Sequence, residues 1–496
     1  MPTQLRFGEW LPDQPEIDNQ GLTECLNVIP GPGFYKPFPG TAVFSSAMAE
    51  AGLGAWSGYV ANRHSAFVGT ASKIYKVVFP TPTDVSGAVY TTPPNTFWEF
   101  ARFNETLIAA NGSDPIQVID LTDDGAIYED LITSSDPPTA RHITIAKSFL
   151  VLGNTIDSAG VQNTQRIWWS AIGDPDNFPT PGGVEANTVQ SSYNSLNDPE
   201  GGAIQAIFGG DDLTIFLEKA IWKASYIGGN FVWQFFKVAD KRGLFIEKCA
   251  QRIGTTIFFL DETGFYQYSD KGGIKPIGYG KVDDYFWSNV HTAYIYDTHC
   301  AIDHDNQLVV WAYVDANGGN TTPDIGLAYN INTGQWSRVQ LSTSFLFYTG
   351  STSYTLDELD TFGNADAIAQ SFDSRFWSGG VGVLAGIDSS YRVVYYNSTP
   401  LDVTIETGEA QFADKNTLIT GVRPVVNGSP TVTVQIGSRS LQTDSVTYGS
   451  AATVNPSTGW HNLRKEGRYH RIRVSTTGTF SKLIGLDIDL VESGIR

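Results

Sequence analysis

Short apolar runs recur along the chain, each followed across a turn of Gly, Asp, Asn or Ser by a second, aromatic-rich run. The pattern opens at Phe67-Val68-Gly69-Thr70 into Ile74-Tyr75-Lys76-Val77, at Leu107-Ile108-Ala109 into Ile116-Gln117-Val118-Ile119, and at Phe149-Leu150-Val151-Leu152 into Ile167-Trp168-Trp169. It returns at Leu213-Thr214-Ile215-Phe216 into Ile221-Trp222-Lys223, and at Ile257-Phe258-Phe259-Leu260 into Phe265-Tyr266-Gln267-Tyr268. The last two units are Leu308-Val309-Val310-Trp311 into Leu327-Ala328-Tyr329 and Val383-Leu384-Ala385 into Tyr391-Arg392-Val393-Val394. Successive starts are 40, 42, 64, 44, 51 and 75 residues apart.

A period of roughly 40 to 50 residues with paired strands in each unit predicts β-propeller blades, because one small sheet cannot bury both faces and radial stacking hides them. The two long intervals predict blades carrying inserted loops, the first over residues 171–203. That stretch holds Gly173-Asp174-Pro175-Asp176-Asn177-Phe178-Pro179 and Asn197-Asp198-Pro199-Glu200-Gly201-Gly202, which break helix and strand alike. No long stretch carries the i, i+3, i+4, i+7 apolar spacing of an amphipathic helix. The expectation is an all-β fold with a β-propeller of six to eight blades.

The ends read differently. After Asn397-Ser398-Thr399-Pro400 the paired units give way to short alternating strands at Val403-Thr404-Ile405, Thr431–Ile436, Arg471–Val474 and Leu483–Leu490, which predict a β-sandwich-like domain. Residues 1–45 are rich in Pro, Gly, Asn and Asp, hold few strand signals, and predict an extended arm lying across another surface. The predicted division is an arm over 1–45, a propeller over 46–399 and a C-terminal β domain over 400–496.

Charge and cysteine usage narrow the function classes. The net charge is −20, and residues 401–496 carry 9 acidic and 10 basic residues, so the first four-fifths of the chain holds nearly all the excess. An acidic body does not suit a clamp on duplex nucleic acid, whose binding is driven by Lys and Arg. Three widely spaced cysteines, Cys25, Cys249 and Cys300, build neither a disulfide framework nor a four-cysteine zinc site, and point to folding in a reducing cytoplasm. The N-terminus lacks a signal-peptide pattern and no run of 18 apolar residues occurs, so membrane insertion is not expected.

Several segments together resemble a known family. Leu11-Pro12-Asp13-Gln14-Pro15, Asn27-Val28-Ile29-Pro30, Gly33-Phe34-Tyr35-Lys36-Pro37-Phe38-Pro39-Gly40, Trp168–Pro175 and Gly467-Arg468-Tyr469-His470-Arg471-Ile472-Arg473-Val474 are similar to tail proteins of short-tailed bacteriophages, of the tail nozzle or packaged-DNA stabilisation class. The resemblance spans both ends and the middle of the chain. It implies a structural virion protein of the tail, assembled in the host bacterial cytoplasm into a homo-oligomeric, commonly hexameric ring. The ring would sit below portal and adaptor, join the tail adaptor protein to a tail fibre or spike, and let duplex DNA pass its lumen without specific binding. Six chains would sum to 6 × −20 = −120 formal charges, which would keep the duplex sliding.

Candidate contacts with other subunits or the adaptor are Arg464, Lys465, Arg468, Arg471 and Arg473, where guanidinium forks could pair with carboxylates, together with Trp10, Trp98 and Trp460, which fall outside the repeats. The bland reading of Arg471 and Arg473 is the solvated face of a strand whose other face carries Ile472 and Val474. No catalytic, cofactor or metal residue is assigned. Gly380–Gly386 has the wrong spacing for a nucleotide loop and predicts a flexible propeller loop. Asp120-Leu121-Thr122-Asp123-Asp124-Gly125 puts Leu131 where a calcium loop needs an acid, so an acidic turn between blades is expected. His299-Cys300 with Asp303-His304-Asp305 lacks a second cysteine pair. Asn332–Trp336 resembles an Asp-box turn without its Asp. Most aromatics of the repeats are expected in the inter-blade core. The competing functions are a carbohydrate-active propeller, needing two carboxylates at glycosidase spacing, and a receptor-binding protein at the tail tip.

Overall fold

In the computed structural model, residues 3–16, 19–60, 63–78, 80–131, 138–350, 382–413 and 415–493 are described. Each predicted hairpin supplies the second and third strands of a four-stranded antiparallel blade, and among the described residues seven such blades form the propeller, the sixth continuing into a larger sheet. The reason is burial on both faces. Leu308–Tyr313, for example, is buried at every position, so it reads as a continuous apolar run instead of an alternating one.

The first strands of the blades are Gly54–Val60, Glu99–Phe103, Thr139–Ala146, Ile204–Phe208, Ala250–Ile253, His299–Asp303 and Thr343–Gly350. They lie against one another around the axis, and a hydrogen bond from Arg252 to Gly209 O joins blades five and four. Blade contacts are tight where glycine allows it. Trp98 is 1% exposed, donates its indole N–H to Thr70 O at 2.8 Å, and lies where a Cβ on Gly69 would come within 2.3 Å of its ring. Trp98 therefore joins blades one and two inside the chain and offers nothing to another subunit.

The seventh blade takes three strands from Thr343–Gly350, Gly382–Asp388 and Val393–Pro400, and its outer strand, Pro39–Val43, from the other end of the chain. Val43 pairs with Val394 and Thr41 with Tyr396. Closing a ring with a strand from the opposite terminus ties both ends of the propeller into one sheet.

The first 43 residues differ in this respect from an arm resting on an outside surface. Thr3–Arg6 pairs with Phe480–Glu492, Leu22–Leu26 with Val403–Thr407, and Val28–Gly31 with Phe34–Pro37. These strands are too short to announce themselves, and Thr3–Arg6 and Leu22–Leu26 find their partners at the far end of the sequence.

The C-terminal domain is a sandwich. One sheet holds Val28–Gly31, Phe34–Pro37, Phe480–Glu492, Thr417–Gly428 and His461–Gly467 in that order. The other holds Leu22–Leu26, Val403–Thr407, Tyr469–Thr477 and Thr431–Arg439, and is continuous with blade six because Leu22–Leu26 also runs beside Gln335–Gln340. Ile405, Val434, Ile436, Ile472 and Val474 share a core with Ile419, Val422, Leu483, Leu486 and Ile488 of the opposite sheet. Asn27 pins the seam. It is fully buried in the left-handed region (φ 59°), which Asn tolerates better than most residues. Its amide donates to Gln340 Oε1 and Asp402 O, and its Oδ1 accepts from Gln340 N.

The insertion over 171–203 contains a short helix, Val184–Val189, and blade three's fourth strand, Ser192–Ser195. The second long interval includes residues 351–381, which lie outside the described residues, as do Gly380 and Val381 of the glycine-rich segment. The rest of that segment belongs to the strand Gly382–Asp388, not to a flexible loop. The Asp120–Gly125 turn lies inside blade two, before its outer strand Glu129–Asp130, and not between blades; Asp120 Oδ1 accepts from Thr122 N. Trp336 is core. No helix is long and apolar enough to cross a membrane among the described residues.

Candidate functional site: the propeller axis and the sandwich seam

Two groups of charged residues stand out, one on the axis and one where propeller meets sandwich. On the axis, the first strand of blade two begins with Glu99, that of blade three carries Arg141-His142, and the segment leading into blade five brings Glu247-Lys248 across to them. His142 Nδ1 lies 3.0 Å from Glu99 Oε1, and its Nε2 lies 3.1 Å from Ile204 O and 3.5 Å from Glu247 Oε1. Both ring nitrogens thus face only acceptors, so both carry hydrogen and the ring is an imidazolium. Lys248 Nζ sits 3.3 Å from Glu99 Oε1, Arg141 Nε donates to Glu247, and Ile143 N donates to Glu99 Oε2.

Burial opposes charge on His142, but Glu99 and Glu247 outweigh it and push its pKa up to about 9. Burial likewise opposes the Glu99 carboxylate, yet Lys248 and His142 hold it down to about 2. The same imidazolium and the Arg141 guanidinium hold Glu247 below the usual carboxylate range against its own desolvation.

This cluster partitions the axis. On one side lies a cavity of about 440 Å³ lined in part by Arg141, Glu218, Lys219, Glu247 and Glu262. On the other lies one of about 280 Å³ that includes Trp56, Lys248, Gln251, Arg252, His304 and Tyr348. Both are of a size for small molecules. A DNA duplex, whose major groove alone is about 12 Å wide, does not thread such an axis.

At the seam, opposite charges cross the strands of the sheet that blade six shares with the sandwich. Arg338 pairs with Glu24 at 2.7 Å, Arg473 with Glu406 at 2.7 Å, and Arg439 with Glu409 at 2.5 Å. Arg471, 7% exposed, reaches Glu16 at 2.6 Å and Glu406 at 3.9 Å. Tyr448 donates its hydroxyl to Glu406 Oε1, and the Arg473 guanidinium lies 4.5 Å from the Tyr448 ring centroid. Removing Glu406 would take the carboxylate from Arg473 and the acceptor from the Tyr448 hydroxyl, and leave Arg471 with Glu16 alone. Glu406→Ala is expected to cost about 1.5–3 kcal/mol, read as a lowered denaturant midpoint, whereas Arg464→Ala on the open surface should leave the midpoint within error.

The predicted contact residues therefore divide. Arg471 and Arg473 are taken up inside the chain, so the face expected to be solvated is instead an ion-paired seam. Trp10 is 2% exposed, lies 5.1 Å from the Tyr285 ring, and donates its indole N–H to Thr23 O, which removes it as a subunit contact. Its neighbour Asp13 accepts from the N–H groups of Asp284 and Tyr285 in the first turn of the helix Asp283–Asn289, anchoring the N-terminal segment where helix donors lack internal partners.

Arg464 is exposed and Lys465 half-buried on the edge strand His461–Gly467. Arg468 lies 5.7 Å from the Tyr469 ring, and Trp460 packs under the Arg423 guanidinium at 5.1 Å. The axial residues Glu99, His142, Glu247 and Lys248 escape a sequence reading because they come from three separate segments, each giving one or two charged residues to a first strand or its approach. Their only signal is a charged residue in or just before a first strand, ahead of an apolar hairpin. His299, Cys300 and Asp303 are buried, and no group of three metal-ligating side chains occurs among the described residues.

No family model matches the chain, and no curated protein matches it. Solved structures do. Two crystal structures of BBS1N in complex with ARL6DN, soaked with lead and with mercury, each give a TM-score of 0.40 at 8% and 10% identity, covering 72% and 73% of this chain and 96% and 97% of theirs. The extracellular domain of the putative one component system BT4673 from B. thetaiotaomicron gives a TM-score of 0.38 at 10% identity, covering 87% of this chain and 48% of that one. These likenesses carry no argument about function, and the propeller rests on the strand pairing itself.

Proposed function

We propose that this chain is a structural subunit of the tail of a short-tailed phage, several copies forming the nozzle ring that retains packaged DNA and passes it during ejection. The observation that carries the reading is how the two ends are built into each other. Four of the five segments that carry the family resemblance, 11–15, 27–30, 33–40 and 467–474, lie in or beside the strands and ion pairs that fasten propeller to sandwich, while the fifth, Trp168–Pro175, begins in the third strand of blade three. A subunit fastened in this way bears load as one body.

The blocked propeller axis adds a constraint. In this reading the passage for DNA runs between subunits, lined by their acidic surfaces, and no duplex enters the propeller itself. The exposed edge around Arg464 and Lys465 remains a candidate contact with a neighbouring subunit or the adaptor, and fibres or spikes would attach elsewhere on the ring.

Mass measurement on the purified chain tests this. Six copies of 54.1 kDa give 6 × 54.1, about 325 kDa. The proposal expects that species, and it expects Arg464→Glu with Lys465→Glu to release 54.1 kDa single chains at unchanged melting temperature. A wild-type chain that stays single and cleaves glycans would favour the carbohydrate-active alternative.

A further inference from the structure

The 280 Å³ axial cavity has a chemistry at odds with the rest of the molecule. The chain carries 52 acidic residues against 32 basic, yet among the described residues the lining of this cavity contains Lys248 and Arg252 and no carboxylate. Lys248 is partly offset by Glu99 behind it. Arg252 is not offset. Its guanidinium donates to the carbonyl of Gly209, and no carboxylate lies within ion-pair distance of it among the described residues. Desolvation by burial lowers its pKa.

The geometry around Arg252 keeps its fork accessible. It occupies the end of the short first strand Ala250–Ile253, faces solvent in the channel, and borders Gly210 (φ +144°), where a Cβ would stand 3.6 Å from its Nη1. Trp56 and Tyr348 give the cavity flat apolar walls beside Lys248 and Arg252, while Gln251 and His304 add polar groups. The carboxylates nearest Tyr348 are Asp303 and Asp305; they raise its pKa after burial does, but neither lines the cavity.

We propose that this cavity binds a small organic oxyanion, its phosphate or carboxylate on the Arg252 guanidinium and its ring or apolar body against Trp56 and Tyr348. Guanidinium is suited to this, since its donors match an oxyanion two at a time. The inference is independent of the nozzle reading, because it concerns one propeller and holds for the single chain or the ring.

Phenyl phosphate is the probe, with inorganic phosphate and phenol as its two halves. Calorimetric titration of the full-length protein should show saturable binding of phenyl phosphate, weaker binding of inorganic phosphate, and none of phenol. Binding should quench tryptophan fluorescence in the wild type and not in Trp56→Phe. Arg252→Gln should weaken phenyl phosphate about tenfold or more with melting temperature unchanged, while Arg464→Gln should bind as the wild type does. Equal affinity in Arg252→Gln, or no saturation by phenyl phosphate at millimolar concentration, would overturn the proposal. An Arg252→Gln chain that fails to fold would leave the Trp56→Phe quenching test to decide it.

Discussion

A chain lacking residues 1–43 is expected to be recovered unfolded or aggregated. The deletion removes the outer strand of blade seven, one strand of the seam and three of the first sandwich sheet, and exposes unpaired edges at Val393–Pro400, Val403–Thr407 and Phe480–Glu492. Bare edges of that kind invite pairing with other chains. It also removes the buried side chains of Trp10, Leu22, Val28, Tyr35 and Phe38. At about 1.5–3 kcal/mol each, their burial is comparable to the whole net stability of a typical domain, about 5–15 kcal/mol. Asn27→Ala gives a graded version, since it unmakes the buried hydrogen bonds to Gln340 and Asp402 and places alanine at positive φ. A loss of about 2–4 kcal/mol is expected. Soluble expression and a denaturant midpoint measure both. A truncated chain with an unchanged melting temperature would show that the N-terminal segment is a dispensable arm.

Glu99→Ala should be the most damaging single substitution on the axis. It leaves the His142 imidazolium and the Lys248 ammonium without their shared partner, and removing one side of a buried charged cluster costs about 3–5 kcal/mol. The cluster also fixes a pH dependence. Because the folded-state pKa of His142 is raised from 6.5 to about 9, its contribution is fully present below pH 6.5 and is lost as pH rises through 9. Because that of Glu99 is lowered from 4.5 to about 2, its contribution is present above pH 4.5 and is lost as pH falls through 2. The two describe one interaction from its two ends and are not added.

Asp283, pushed up to about 7 by burial, acts in the same direction as His142 between pH 4 and 7. The informative quantity is therefore the stability difference between wild type and His142→Gln. It should be flat from pH 4.5 to 6.5 and shrink by pH 9.5. A difference that does not vary with pH would mean that the ring is neutral.

The propeller is legible in the sequence because the second and third blade strands are buried on both faces and read as unbroken apolar runs. The first strands are not. Glu99–Phe103 and Ala250–Ile253 mix charge with small residues because they face an axis occupied by ion pairs and solvent. Pro39–Val43 is silent for another reason. Its strand character comes from Val393–Pro400, at the far end of the propeller's sequence, and local propensity carries no trace of a partner so distant.

The alternation of Arg471 and Arg473 with Ile472 and Val474 identifies a strand with one apolar face. It does not say that Glu16, Glu406 and Tyr448 cover the other. Trp10 and Trp98 lie outside the repeating hairpins but inside the packing, one against Tyr285 and the other against Gly69, contacts between segments that no local pattern joins.

Electron cryomicroscopy of the purified assembly tests the central claim most directly. The account predicts a sixfold ring with an open lumen between subunits wide enough for duplex DNA, and continuous density across each propeller axis at Glu99, His142 and Lys248. Single propellers that never associate, or a duplex-wide hole through the axis of each propeller, would contradict it.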